Sequence, residues 1–168
     1  MVRLAFAVRP PPEVLAVVAS LPRAPLEHVV WSRPEQWIVR LRPLGHVAVH
    51  QSRQLVDAVA AELDGAPPMP VCLGPATRRL AGQWLGAPVT GLDELAAGVF
   101  AATERLVPVT HPQPFHADLV LARGRVPAEL AGQAVRAEWT VTEVLLVADR
   151  SSPHGPRMED VGSIALEG

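Results

Sequence analysis

Gln36-Trp37-Ile38-Val39-Arg40-Leu41-Arg42-Pro43-Leu44-Gly45 decides the fold. Its apolar residues alternate. Successive side chains of a strand point to opposite faces, so Trp37, Val39 and Leu41 share one face and Ile38, Arg40 and Arg42 the other. The odd-numbered face is the expected core. A second stretch, Phe115-His116-Ala117-Asp118-Leu119-Val120-Leu121-Ala122-Arg123, repeats the arrangement about 80 residues later. There Leu119 and Leu121 are expected inside, with His116, Asp118 and Val120 opposite. Aligning the two stretches sets Ile38-x-Arg40 against Asp118-x-Val120, as in a chain built from two related halves.

Around these two strands, residues 2–9 read as a strand stopped by Pro10-Pro11-Pro12, because proline has no N–H for the ladder. Pro12 and Glu13 suit the first turn of a helix and open one that reaches about Leu21. Short strands are expected at Val29 to Trp31 and Val71 to Leu73, and one at Leu80 to Leu85. Ser52 is the expected cap of a helix through Leu63, whose stripe is Leu55, Val56, Val59, Ala60 and Leu63. A third helix spans Leu92 to about Val107, and a short helix or turn Pro127 to Gln133. Trp139 to Val147 is the longest strand-like stretch, and Val161 to Leu166 pairs with a sheet edge. Strands alternating with helices give an α+β class, in one domain spanning residues 1–168.

Composition narrows the functional classes. Of 168 residues 49% are apolar and the net charge is −2, so any anion site must be local rather than a property of the whole surface. The 15 basic residues are all arginine and tyrosine is absent, which points to coding bias and weakens each arginine as a sign of phosphate binding. Cys72 is the single cysteine, so no intramolecular disulfide forms. No apolar run has the ~18–20 residues of a membrane helix, and the N-terminus lacks the features of a signal peptide. A cytoplasmic location without membrane association is the default. No P-loop, Gly-x-Gly-x-x-Gly element, nucleophile elbow or metal-ligand spacing is present, and no cofactor or metal is expected.

The two alternating stretches resemble the paired signatures of the two-histidine (2H) phosphoesterases, usually Asn-Leu-His-Leu-Thr-Leu-Arg-Phe-Leu-Gly and Phe-Arg-Pro-His-Leu-Thr-Leu-Ala-Arg. The likeness extends to Arg3–Pro11, to Trp31, to Trp84-Leu85-Gly86 and to Trp139-Thr140-Val141-Thr142-Glu143-Val144-Leu145-Leu146. The nearest branch is the RNA 2′,3′-cyclic phosphodiesterases, historically called 2′-5′ RNA ligases. The resemblance implies a bilobal fold with two antiparallel sheets facing a central groove, helices outside, and a pseudo-twofold relation between lobes. It also implies metal-free chemistry, in which two histidines exchange protons and two threonines hold the phosphate.

This chain departs from both signatures at the reacting positions. Ile38 and Asp118 stand where the family has histidine, and Arg40 and Val120 where it has threonine. Isoleucine has no proton to exchange and no lone pair. An ordinary aspartate is ionised at neutral pH and makes a poor general acid. Losing general acid–base groups costs about 10²- to 10⁴-fold each. The expectation is therefore a degenerate, non-hydrolysing homologue that serves as a scaffold or binds a nucleotide, an RNA end or another small anion, with a protein partner as a further alternative. The ligand-binding candidates are Arg40, Arg42, His116, Asp118 and Arg123. Two readings of the groove stand side by side: an anion pocket around Arg40, or an Arg40–Asp118 ion pair filling a dead groove. The enzymatic alternative is slow phosphodiester chemistry with His116 or Asp118 as base beside Arg40. Trp31, Trp37, Trp84 and Trp139 read as core before they read as base-stacking platforms.

Overall fold

The computed structural model describes residues 1–81 and 83–168. In chain order the elements are β1 (Val2–Val8), α1 (Pro12–Ala19), β2 (Val29–Trp31), β3 (Val39–Val47), α2 (Ser52–Glu62), β4 (Met69–Leu73), β5 (Arg78–Leu80) and β6 (Trp84–Thr90). They continue with α3 (Asp93–Thr103), β7 (Asp118–Gly124), β8 (Ala137–Val141), β9 (Glu143–Asp149) and β10 (Met158–Ala165). Two antiparallel sheets result. One has the order β10-β9-β1-β3, and the other β2-β7-β6-β4-β8 with β5 paired to β6. They face each other across a groove, with the helices outside.

Helix α1 begins as its sequence dictates, with Pro12 at the first helical position and Glu13 in the first turn. It ends at Ala19, two residues before the expected Leu21; the Ser20 hydroxyl donates to the Val17 carbonyl, 2.7 Å away. Ser52 does not cap α2. A 3-10 turn over Val49–Gln51 leads into that helix and puts Gln51 at the cap position, without a side-chain cap. The buried stripe is Leu55 and Val59, as the spacing predicts. Helix α3 stops at Thr103, short of Val107.

Two single strands expected from the sequence are double. Leu80 to Leu85 straddles the turn of the β5–β6 hairpin, in which Leu80 pairs with Trp84 and Arg78 with Gly86. Trp139 to Val147 breaks at Thr142, where the chain leaves the six-stranded sheet after β8 and enters the four-stranded sheet as β9. Val141 and Val144 are both buried, so the alternation shifts by one residue at the crossing. An apolar run carries no mark of such a change of sheet, because both segments bury apolar side chains.

The main core lies on the sides of the sheets away from the groove, with Leu4, Phe6, Val39, Leu41 and Leu146 from one sheet and Leu73, Leu85, Leu119 and Leu121 from the other. A separate small apolar cluster, Ala7, Ile38, Leu145 and Val147 with Met158 against it, lines the groove side of the four-stranded sheet. Among the described residues no helix is long and apolar enough to cross a membrane.

Candidate functional site

The groove wall formed by β1, β3 and β9 follows from pairing register. Ala7 lies opposite Arg40 and Leu145, and Arg3 opposite Asp149, so Arg3, Ala7, Arg40, Leu145 and Asp149 share a face. Ile38, just before β3, joins it within the small apolar cluster. The strict alternation expected for residues 36–45 then fails. β1 and β3 pair Ala7 with Arg40 but Phe6 with Arg42, so Leu41 is the extra residue of a bulge. Arg42 therefore turns to the core side. It is 3% exposed, donates to the Thr103 hydroxyl (2.5 Å) and to the Val107 carbonyl, and its guanidinium lies 5.1 Å from the Phe100 ring centroid. The expectation that Arg42 faces the groove is corrected by that bulge. Arg42 ties β3 to the end of α3.

The opposite wall comes from β5, β6 and β7. Arg78 lies opposite Gly86, Gly86 opposite Val120 and Pro88 opposite Asp118. Arg78 holds Asp118 with two hydrogen bonds, Nε to Oδ1 and Nη2 to Oδ2, both 3.0 Å. The position between them carries no side chain: a Cβ on Gly86 would meet Leu80 Cδ1 at 2.7 Å and the Leu119 carbonyl at 3.2 Å. Arg40 has no hydrogen bond or ion pair to Asp118, and so the Arg40–Asp118 pair, one of the two readings of the groove, is not formed. Arg78 takes its place, delivered by a hairpin that reads in sequence as a single strand. His116 is exposed, two residues ahead of β7.

The charges that remain in the groove are mostly positive. Arg9 and Arg78 are neutralised, Arg9 by Asp160 at 2.6 and 2.8 Å and Arg78 by Asp118. Arg40 is half-buried and has no hydrogen-bond or ion-pair partner among the described residues. Its pKa is lowered, first by burial, then by Arg123 and Arg3 nearby, with Asp149 acting in the opposite direction. Burial pushes the Asp149 carboxyl up. Hydrogen bonding from Ser151, whose backbone N–H lies 2.9 Å from Oδ1, and the charges of Arg40 and Arg3 outweigh it and hold the group below its ordinary value. Arg123 stacks 5.2 Å from the ring centroid of Trp84, and its Nε is buried without an acceptor among the described residues. Trp84 is 41% exposed, the most open of the indoles, so the expectation of a core role fails there. Trp37 is buried, and Trp31 and Trp139 are half-buried.

The groove thus presents a guanidinium unpaired among the described residues, a second stacked on an indole, a third cation at Arg3 and an aromatic face. Such a set holds an anion with a planar group beside it. The positions at which histidines would exchange protons hold an isoleucine packed among aliphatic side chains and an aspartate bound to arginine. Sequence reasoning identifies Arg40 and Arg123 and misses Arg78 and the open face of Trp84. The one sequence mark of that hairpin is Gly82, a turn-forming residue inside the stretch read as a single strand, and nothing there points to Arg78 itself.

No protein-family model and no curated protein match the sequence. Solved structures match its fold over nearly the full length. TT0787 of Thermus thermophilus superimposes with a TM-score of 0.86 at 24% identity, covering 99% of this chain and 98% of that one. A crystal structure described as a phosphoesterase gives 0.83 at 20% identity, with 100% of both chains covered. Escherichia coli LigT in complex with 3′-AMP gives 0.83 at 21% identity, covering 99% of each chain. The expected α+β architecture, two antiparallel sheets about a groove, is therefore the architecture of this chain, and it is the fold it shares with TT0787 and LigT.

Proposed function

We propose that this chain is a degenerate 2H-phosphoesterase-like protein that binds a nucleotide or another small anion in its groove without hydrolysing it. The observation that carries the reading is Arg40, a half-buried cation without a hydrogen-bonded partner, set beside Arg123 and Arg3. A buried charge left unpaired is costly, and an incoming phosphate removes that cost. Trp84 adds a surface on which a base can stack. LigT has been crystallised with 3′-AMP, phosphate and ATP, which supports a protein of this fold accommodating such ligands.

Hydrolysis is disfavoured by the same geometry. Ile38 offers no proton, and Asp118 already shares both oxygens with Arg78. His116 stands exposed, outside β7. The slow-phosphodiesterase alternative, with His116 or Asp118 as base and Arg40 stabilising charge, needs that ion pair to open.

Calorimetry with 3′-AMP and with inorganic phosphate tests the proposal, alongside a turnover assay on a 2′,3′-cyclic nucleotide. Saturable binding weakened about 10- to 100-fold by Arg40→Ala, without turnover, is expected from the loss of a charge-assisted hydrogen bond. Binding unchanged by Arg40→Ala overturns the assignment. Turnover abolished by His116→Ala establishes the enzymatic alternative.

A further inference from the structure

Past Val30 the edge strand β2 runs into a turn that its own residues fix. Ser32 extends the ladder by donating its N–H to the Leu121 carbonyl at 2.9 Å. Pro34 then opens a 3-10 turn over Pro34–Gln36, since its fixed φ suits a first helical position. The Arg33 N–H donates to Gln36 Oε1 at 3.0 Å and the Gln36 N–H to the Arg33 carbonyl at 2.8 Å. The segment that leaves α1 is tied to the same strand, because the Trp31 indole N–H donates to the Ala24 carbonyl at 2.9 Å. These two segments border an open depression of about 510 Å³, lined by Leu21, Arg23, Trp31, Ser32, Arg33 and Pro34.

The charged groups of its lining are two exposed guanidiniums, and neither is in an ion pair among the described residues. Both are positioned. Arg23 Nη2 donates to the Ala19 carbonyl at 3.3 Å, and its guanidinium lies 5.5 Å from the ring centroid of Trp37. A Cβ on Gly155 would lie 3.3 Å from Arg33 Nη1, so the β9–β10 connection flanks that guanidinium. Glu129 lines a smaller hollow that shares Leu21, Arg23 and Trp31 with the depression, and it makes no ion pair with Arg23. Ser32 is 5% exposed, and its hydroxyl has no hydrogen bond among the described residues. Two like charges and an uncommitted hydroxyl thus line one hollow with an indole, a leucine and a proline.

We infer that this depression binds a phosphate monoester that carries a small aromatic group. A phosphate monoester has a charge of about −1.5 to −2 at neutral pH, which balances two guanidiniums where a carboxylate balances one. Its remaining oxygen accepts from the Ser32 hydroxyl. Trp31, Leu21 and Pro34 give the ring an apolar surface, and the open mouth admits it without displacing a packed side chain. The depression shares no residue with the Arg40, Arg123 and Arg3 cluster and does not depend on the reading of Arg40.

Phenyl phosphate is the probe, with inorganic phosphate and benzoate as comparisons that lack the ring and the second charge. Binding to the full chain is followed through the indole N–H resonances of ¹⁵N-labelled protein, in which Trp31 reports on the depression and Trp84 on the groove. We expect phenyl phosphate to move the Trp31 resonance saturably, with the same midpoint in the wild type and in Arg40→Ala. Inorganic phosphate and benzoate should each need about 3- to 10-fold higher concentrations. Arg23→Ala and Arg33→Ala should each weaken the Trp31 response by about 10-fold, with the circular dichroism and the Trp84 response unchanged. A Trp31 resonance unmoved at millimolar phenyl phosphate overturns the site, and so does a response indifferent to both arginine substitutions. A Trp31 response lost in Arg40→Ala overturns its separation from the groove. Benzoate binding as tightly as phenyl phosphate overturns the assignment to a phosphate monoester.

Discussion

Arg78 and Asp118 meet face to face through two 3.0 Å hydrogen bonds, and this contact settles what an aspartate does at a position where the resemblance leads one to expect histidine. The carboxylate is 10% exposed and its partner guanidinium 47% exposed, so the pair sits at the groove wall with one side open to solvent. It cancels a negative charge that would repel a phosphate, and it commits one of the groove arginines in doing so.

Asp118→Asn should therefore strengthen anion binding. The substitution removes the negative charge and frees Arg78 for the ligand, and a gain of about 3- to 10-fold in phosphate affinity is expected for one neutral-strength contact. Arg78→Ala should do the reverse, because it leaves the Asp118 carboxylate uncompensated. Asp118→Asn should cost no more than about 1 kcal/mol of stability, since the arginine it frees is half in solvent, whereas Arg78→Ala should cost about 1–3 kcal/mol, because the carboxylate it leaves is only 10% exposed. Calorimetry and urea denaturation of the two variants check both claims; a weaker-binding Asp118→Asn protein would show that the carboxylate contributes to the ligand site.

Arg42 separates stability from binding. Its guanidinium bonds Thr103 and Val107 and lies over Phe100, on the far side of the sheet from the groove. Arg42→Ala should destabilise the fold by about 2–4 kcal/mol, because buried acceptors lose a charged donor and packed methylenes are removed. The folded fraction should retain wild-type phosphate affinity. A parallel loss of affinity without loss of stability would return Arg42 to the groove.

Asp149 predicts an acid limb. Its folded pKa lies below the ordinary aspartate value near 3.8, so between the two values the unfolded chain binds more protons than the folded one. The contribution of Asp149 is present above about pH 4 and is lost as the pH falls through the lower folded value. Asp149→Asn should flatten the fall in stability below about pH 4 and leave the neutral-to-alkaline range unaltered in slope. Denaturation midpoints of the two proteins from pH 6 downward test this, and identical acid limbs would remove Asp149 from the account.

The sequence reveals faces better than it reveals boundaries. Val39 and Leu41, Leu119 and Leu121, and Leu55 and Val59 are buried as their spacing demands, because one-sided burial writes itself into alternation or a helical stripe. The bulge at Leu41 is invisible there, since an extra residue between two strands depends on the partner strand as well as on its own sequence. For the same reason alternation alone puts Arg42 on the wrong side. Arg40 and Arg123 are legible through their place in the repeated pattern. Arg78 is not, because its contact with Asp118 spans 40 residues of sequence and crosses a glycine that leaves no pattern of its own.

Ile38 carries the last prediction, which concerns whether a lost proton-transfer group can be restored singly. Its side chain is 1% exposed and packs with Ala7, Leu145 and Val147, in a cluster that lines the groove floor with hydrocarbon. Ile38→His puts a polar ring there without a designed partner, at an expected cost of about 1–3 kcal/mol. It should yield no turnover of a 2′,3′-cyclic nucleotide, because acid and base act as a linked pair and Asp118 stays bound to Arg78. Installing Ile38→His and Asp118→His together, with Arg40→Thr and Val120→Thr, supplies both proton carriers and both hydroxyls on strands whose backbone positions are already set. Turnover should then appear in the fourfold variant alone. Activity in Ile38→His by itself would mean that the groove already contains a working second group, and would make His116 the first residue to remove.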